Sequence, residues 1–230
     1  MKTCGVSRMT VVAALAAILA VVVGSAAQGD SIMYSDSVAL SSTNWSSSVT
    51  IPKFDPSWGT LISITCQLTG HVEGTAKFES MDNSPAAVSM NLSAMVKLER
   101  PDCSTMVLAL PLASTLDCVT AYDGTLDYGG TSGVTHAGLS NTDVQSVTTP
   151  PPNSDLALFT GVGNIVLPVV ATGTSSGSGA GNLILNFATA ASAGVEVTYD
   201  YRAIPEPATM ALVGTAGLAL VGLRRRRSMK

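Results

Sequence analysis

The chain has 230 residues, 46% of them hydrophobic, 12% charged and 5% aromatic, with a formal net charge of −4. Most of its cations stand in the end segments, so Gln28 to Ile204 keeps only Lys53, Lys77, Lys97, Arg100 and Arg202 against fifteen acids. A net charge of about −10 on one domain's length of chain disfavours nucleic acid and anionic lipid as direct partners and leaves cations open as partners.

Lys2 and Arg8 form a basic opening, Val11 to Val23 holds no polar residue, and Ser25-Ala26-Ala27 supplies small side chains at a cleavage position. This is the pattern of a secretory signal peptide, residues 1–27, cut after Ala27, with an uncut membrane anchor as the alternative. Cys66 is the next cysteine after the apolar run, too distant for lipoprotein processing.

Residues 28–204 read as one exported domain whose dominant period is two. Candidate strands come first at Ile32 to Leu40 and Ser47 to Ile51. From Leu61 to Thr69, Ile62, Ile64, Cys66 and Leu68 share one face and Ser63, Thr65, Gln67 and Thr69 the other, as in a half-buried strand. Gly70 is read as a turn, followed by a second arm with Val72, Gly74, Ala76 and Phe78 inward and His71, Glu73, Thr75, Lys77 and Glu79 outward. The longest alternation places Val88, Met90, Leu92, Ala94, Val96 and Leu98 inward, and Pro101 ends it. Further strands are expected at Thr105 to Leu110, Asn164 to Ala171, Asn182 to Ala188 and Val195 to Tyr201. Asp117 to Pro152 reads as the principal loop region and Gly173 to Gly181 as a flexible Gly/Ser loop. Short strands between Gly, Pro, Ser and Asp clusters, with no sustained helical period, predict an all-β, antiparallel β-sandwich, jelly-roll-like or Ig-like, with a closed barrel as second choice.

Export permits disulfides, and three cysteines remain, Cys66, Cys103 and Cys118. Cys103 and Cys118 are the candidate pair, because Cys66 occupies an apolar-facing strand position. A loop of about 16 residues would contribute roughly 3 kcal/mol in the chain-entropy model. Three reduced thiols are the alternative.

Little in this region carries chemistry. Gly173-Thr174-Ser175-Ser176-Gly177 matches the G-x-S-x-G pattern, but it runs into Gly/Ser low complexity and both His71 and His136 precede it, against the hydrolase order. The histidines share no metal-ligand spacing. Asp123 and Asp127 are the candidates for a calcium site, the one cofactor left open, although they lack the spacing of the twelve-residue calcium loop and ordinary turn chemistry explains them. Trp45, Trp58, Tyr122 and Tyr128 are candidate stacking platforms for a carbohydrate, weighed against a packing role. No nucleophile, base and orienter assemble, so the region reads as non-enzymatic; an envelope hydrolase is the weakest alternative.

Residues 205–230 form a distinct tail. Pro205-Glu206-Pro207 favours an extended backbone. Ala208 to Leu223 carries no charge and is apolar on every face, so it belongs in lipid, where it would give about 24 Å of helix against a hydrocarbon core of about 30 Å. Arg224, Arg225, Arg226 and Arg227, within the basic stretch 224–230, place the C-terminal end on the cytoplasmic side. An ordinary single-span anchor is one reading.

Pro205-Glu206-Pro207, the short apolar run and the arginine cluster, in that order, resemble the PEP-CTERM sorting signal of Gram-negative bacteria. The resemblance implies passage through the inner membrane by the secretion machinery and transient anchoring there. It further implies recognition by an exosortase, a membrane-embedded cysteine protease and transpeptidase, which removes the helix and delivers the protein to the envelope, cell surface or exterior. The family's setting implies association with exopolysaccharide or biofilm.

A second resemblance covers Ser31 to Tyr201. Ile32-Met33-Tyr34-Ser35-Asp36-Ser37, Thr43-Asn44-Trp45, Ile51-Pro52-Lys53-Phe54-Asp55-Pro56-Ser57-Trp58-Gly59-Thr60-Leu61 and Val197-Thr198-Tyr199-Asp200-Tyr201 are similar to the choice-of-anchor E domain, named for one exported domain carried on different surface anchors. Trp58 departs from that pattern, where a smaller residue is usual. The resemblance implies no biochemical activity.

Overall fold

A computed structural model describes residues 29–149 and 154–204; the signal segment with Ala27, the Pro-Glu-Pro triplet, the apolar run and the arginine cluster lie outside them. The described elements are β1 (Gly29–Ser42), β2 (Trp45–Pro52), β3 (Gly59–Ser80), β4 (Ala86–Glu99), β5 (Thr105–Ala109), β6 (Leu112–Val119), β7 (Gly133–Thr149), α1 (Ser154–Phe159), β8 (Asn164–Gly173), β9 (Ser176–Ser178) and β10 (Leu183–Ala203).

These strands pair antiparallel in two sheets, one in the order β1-β10-β3-β7 and the other β2-β8-β4-β5, with β6 and β9 also on β4. Two of the breaks have local causes. Pro111, which lacks a backbone donor, separates β5 from β6, yet its carbonyl still accepts from Ala94 N at 3.2 Å. Between β8 and β9, Ser93 turns to the side chain of Ser175 at 3.1 Å. Joining each interrupted pair leaves eight strands in two four-stranded sheets, the arrangement of a jelly roll.

The core lies where the inward faces meet. On β4, Val88, Met90, Leu92, Ala94, Val96 and Leu98 are all buried, as their alternation predicts. Ile64, Cys66, Leu68 and Val72 of β3 and Ala191, Ala193, Val195, Val197 and Tyr199 of β10 join Leu92, Ala94, Val96 and Leu98 in one cluster. A smaller cluster of Ala76, Phe78, Val88, Met90 and Val119 fills the far end.

Several expectations are corrected. Gly70 is no turn: β3 runs unbroken for 22 residues, and a Cβ at Gly70 would stand 2.9 Å from that of Ala109 in the opposite sheet. The glycine is a place of close approach. Ile62 is exposed because the register slips between Asp200 and Tyr201, making it an extra residue on β3. Glu79 is fully buried rather than outward, covered by the loop that follows β6. The strands expected at Asn182 to Ala188 and Val195 to Tyr201 are one strand, β10, which begins at Leu183.

The region expected to be the principal loop contains the end of β6 and all of β7, and the expected Gly/Ser loop contains β9. β7 escapes a period-two reading because a bulge divides it. Its register with β3 jumps from Ala76–His136 to Gly74–Leu139, with Gly138 at φ +69°. Inward positions therefore switch parity, from Val134 and His136 to Leu139 and Val147. Several polar residues of β7 bond across to the other sheet: His136 Nε2 lies 2.7 Å from Asp117 Oδ2, Asn141 Nδ2 donates to the Leu112 carbonyl, and Asp143 Oδ2 accepts from Leu110 N at 2.7 Å.

Candidate functional site

The end of the sandwich where the described chain enters and leaves is built by β1, β3 and β10. Gly29 pairs in register with Arg202, and Arg202 with Thr60. Ile204, the last residue before Pro205, donates from its backbone N to the Trp58 carbonyl at 3.2 Å. The folded domain thus holds the chain up to the residue that precedes the sorting triplet.

Aromatic rings pack together at this end. Phe54 is fully buried and meets Tyr201 at 5.2 Å, Trp58 at 5.9 Å and Tyr199 at 6.1 Å between ring centroids. Tyr199 donates its hydroxyl to the Pro52 carbonyl at 2.8 Å, and burial pushes its ionisation above the ordinary phenol range. Asp55 accepts from Ser57 N at 2.8 Å, a bond that lowers its pKa and fixes the turn into β3. Phe54 and Trp58 therefore act as packing caps.

The remaining candidates are scattered. Trp45 donates Nε1 to the Ala191 carbonyl at 3.2 Å and packs on the core midway along the sheets. Tyr122 and Tyr128 belong to the loop over Glu79, at the opposite end of β3 from Trp58. Two acids the sequence does not distinguish fasten this end, Glu79 the loop after β6 and Asp82 the segment before β10. Glu79 accepts from Tyr128 N at 2.8 Å and Ser132 Oγ at 2.6 Å, and Asp82 accepts from Gly181 N at 2.6 Å and Asn182 N at 2.9 Å. Only the partners, brought from far along the chain, mark these acids as structural.

Asp123 spends its carboxylate on Thr125 N at 3.0 Å and Thr131 N at 3.3 Å, which holds its pKa below the usual carboxylate range, and Asp127 accepts from Gly129 N at 2.9 Å. Both close turns. Ser175, the centre of the G-x-S-x-G match, bonds to Ser93 and to Thr189 Oγ1, the latter at 2.9 Å, and so stitches β8–β9 to its neighbours. Its hydroxyl has no histidine partner. A surface recess of about 420 Å³ is lined by Ser35, Asp36, Ser37, Gln67, Thr69 and Glu196 among others. Asp36 is engaged there by Ser37 N and Thr50 N, each at 2.8 Å.

The cysteine pairing is corrected. Cys66, Cys103 and Cys118 are free, the first buried and the others exposed. Cys118 sits opposite Ala87 at the start of β4, whereas Cys103 lies in the turn after Glu99, at the other end of that strand. Twelve residues of extended chain separate those ends by about 40 Å, far beyond the roughly 7 Å that a disulfide spans between Cα atoms.

The family model described as the PEP-CTERM protein-sorting motif matches residues 203–227. The chain thus carries a signal for an exosortase, which implies export and membrane anchoring ahead of processing. No curated protein matches the chain. Among solved structures, similarity is found to "Structure of infectious bursal disease virus Gx strain", at 16% identity and a TM-score of 0.20, covering 76% of this chain and 37% of that one. The "Crystal structure of infectious bursal disease virus VP2 subviral particle" gives 15% identity and a TM-score of 0.22, with 76% and 37% covered. The chain spans well under half of those chains' length, and TM-scores this low fix neither fold nor function.

Proposed function

We propose that this is a non-enzymatic exported protein, a choice-of-anchor E-like sandwich that an exosortase processes at Pro205-Glu206-Pro207. After processing it resides in the envelope or extracellular matrix in association with exopolysaccharide. The observation that carries the reading is the pairing of Gly29 with Arg202, taken with the match at residues 203–227. A precursor held in the membrane at both ends, with its domain outside, needs those ends on one side of the fold. Ile204 and Ala208 are four residue steps apart, at most about 14 Å of chain, so the triplet is presented between the domain and the bilayer. The non-enzymatic part rests on the employment of the candidate groups: Ser175, Asp36, Asp123 and Asp127 all serve strand or turn hydrogen bonds. The carbohydrate-module alternative gains no support, since Trp45, Trp58, Tyr122 and Tyr128 form no common platform.

The test is replacement of Pro205, Glu206 and Pro207 by alanine in cells that carry an exosortase, followed by fractionation and mass measurement. The variant is expected as a longer, membrane-retained form. Equal mass and equal location for both chains would remove the sorting claim.

A further inference from the structure

From Thr105 to Val119 the edge of the second sheet keeps one parity through the Pro111 break. Val107, Ala109, Ala113 and Val119 face inward, so Leu108, Leu110, Leu112, Ser114, Leu116 and Cys118 face out. The leucines are 40%, 56%, 44% and 73% exposed. From Leu108 to Leu116 they form a row about 26 Å long at ~3.3 Å per residue, interrupted only by Ser114. Isolated surface leucines need no explanation, but a contiguous row marks an interface.

We propose that this row is the surface through which a second copy of the chain associates side by side. Three observations select that occupant. Charge comes first: the domain carries about −10, so two copies repel except where the surface is nearly neutral. The neighbours of this row are Ser89, Asn91, Ser93 and Lys97 on β4 and Asp143 of β7, one charge of each sign, whereas the outer face of the first sheet carries Glu73, Glu196 and Asp200 against Lys77 and Arg202. Direction comes second. The row runs lengthwise along the strands, away from the end that holds Gly29 and Ala203. On a domain tethered at that end it faces sideways, toward neighbouring copies and not toward the bilayer. Area comes third. The exposed leucine surface is roughly 400 Å², about half of the ~800 Å² per partner in a standard interface, and the adjoining Ser, Asn and Met95 supply a rim. A row that meets itself across a two-fold axis is self-complementary.

The cysteines provide an internal control. Cys118 lies at the end of the row and Cys103 about 40 Å away, both exposed. The full chain, purified in detergent, is examined by analytical ultracentrifugation across protein concentration and by timed alkylation of its thiols, beside a Leu112→Glu/Leu116→Glu variant checked by circular dichroism. The expected result is a concentration-dependent dimer in which Cys118 reacts at least several-fold more slowly than Cys103, with the protection and the dimer both lost in the variant. A monomer at every concentration overturns the proposal. So does a dimer whose Cys118 reacts as fast as Cys103, since the contact would then lie elsewhere. Cys118 protection in cells but not in the purified chain would place a different partner on the row and overturn it as well. The wild-type alkylation rates decide the matter even if the variant fails to fold. No exosortase enters the experiment, so its outcome is separate from that of the processing test.

Discussion

Arg100 grips Asp155 with two parallel hydrogen bonds, Nε to Oδ1 and Nη2 to Oδ2, each 2.8 Å long. Asp155 is 4% exposed, and its bond is the foremost reason the guanidinium pKa is raised. The pair fastens α1, whose Leu156, Leu158 and Phe159 pack on the core, to the turn between β4 and β5. Arg100 also donates to Ser104 Oγ and the Thr105 carbonyl, both at 3.2 Å, so one side chain orders the turn and the helix together.

Arg100→Ala is therefore expected to lower unfolding stability by about 2–3 kcal/mol, somewhat under the ~3–5 kcal/mol of a fully buried pair because the guanidinium is partly exposed. Arg100→Lys should recover less than half of that loss, since an ammonium cannot reproduce the two-point geometry. Urea denaturation followed by circular dichroism measures both. Equal stability of the Lys variant and the wild type would show that charge alone suffices.

Gly70 offers a test of the packing between sheets. A methyl group there meets Ala109 Cβ at 2.9 Å and Val96 at 3.3 Å, with strand on both sides. Gly70→Ala should cost about 1–3 kcal/mol through overpacking, and Ala109→Gly in the same chain should return part of it. Thermal unfolding of the two single variants and the double variant closes the cycle. Additive losses would mean that the two residues do not press on one another.

Why this glycine reads as a turn in the sequence bears on how much of the fold is legible. The even positions from Ile64 through Leu68 and Val72 to Phe78 hold one phase across Gly70, and an unbroken phase is the sign of one strand. The composition of Gly70 argued the other way. Inward alternation is legible along β4 and in the Val195 to Tyr201 part of β10, where large side chains recur at nearly every second place, and is lost in the middle of β10, where Ala191 and Ala193 face inward. It is not legible in β7, because its bulge changes parity midway and its inward groups include His136. The buried role of Glu79 is set by Tyr128 and Ser132, some fifty residues downstream, and nothing local announces it. The sorting tail is the reverse case: its signal is local, and the fold contributes only the point from which it hangs.

Thiol counting checks the placement of the cysteines. Without reductant, the dilute exported chain should show two accessible thiols, Cys103 and Cys118, and a third after denaturation, Cys66. A mass deficit of two hydrogens with a single thiol on denaturation would restore the Cys103–Cys118 bridge and contradict the separation of the two ends of β4.

The last expectation concerns alkaline pH. Cys66 lies in the core, where burial foremost, then the Asp155 carboxylate, push its thiol from 9.0 up to about 12, with Arg100 acting in the opposite direction. Between those values an unfolded chain releases this proton and the folded chain keeps it. The folded state binds the extra proton, so the contribution is fully present below about pH 9 and is lost as pH rises toward 12. Cys66→Ala removes the titrating group. It should cost about 1 kcal/mol near neutrality through lost packing, and that deficit should shrink and then reverse between pH 9 and 12. Tyr199, whose ionisation is also raised by burial, remains in both chains and gives both a similar alkaline slope. Urea midpoints for the two proteins at pH 7, 9, 10 and 11 read the difference. A deficit that stays constant across that range would mean that the Cys66 thiol ionises as readily in the folded protein as in the unfolded chain, and the inward facing of its strand position would lose its chemical support.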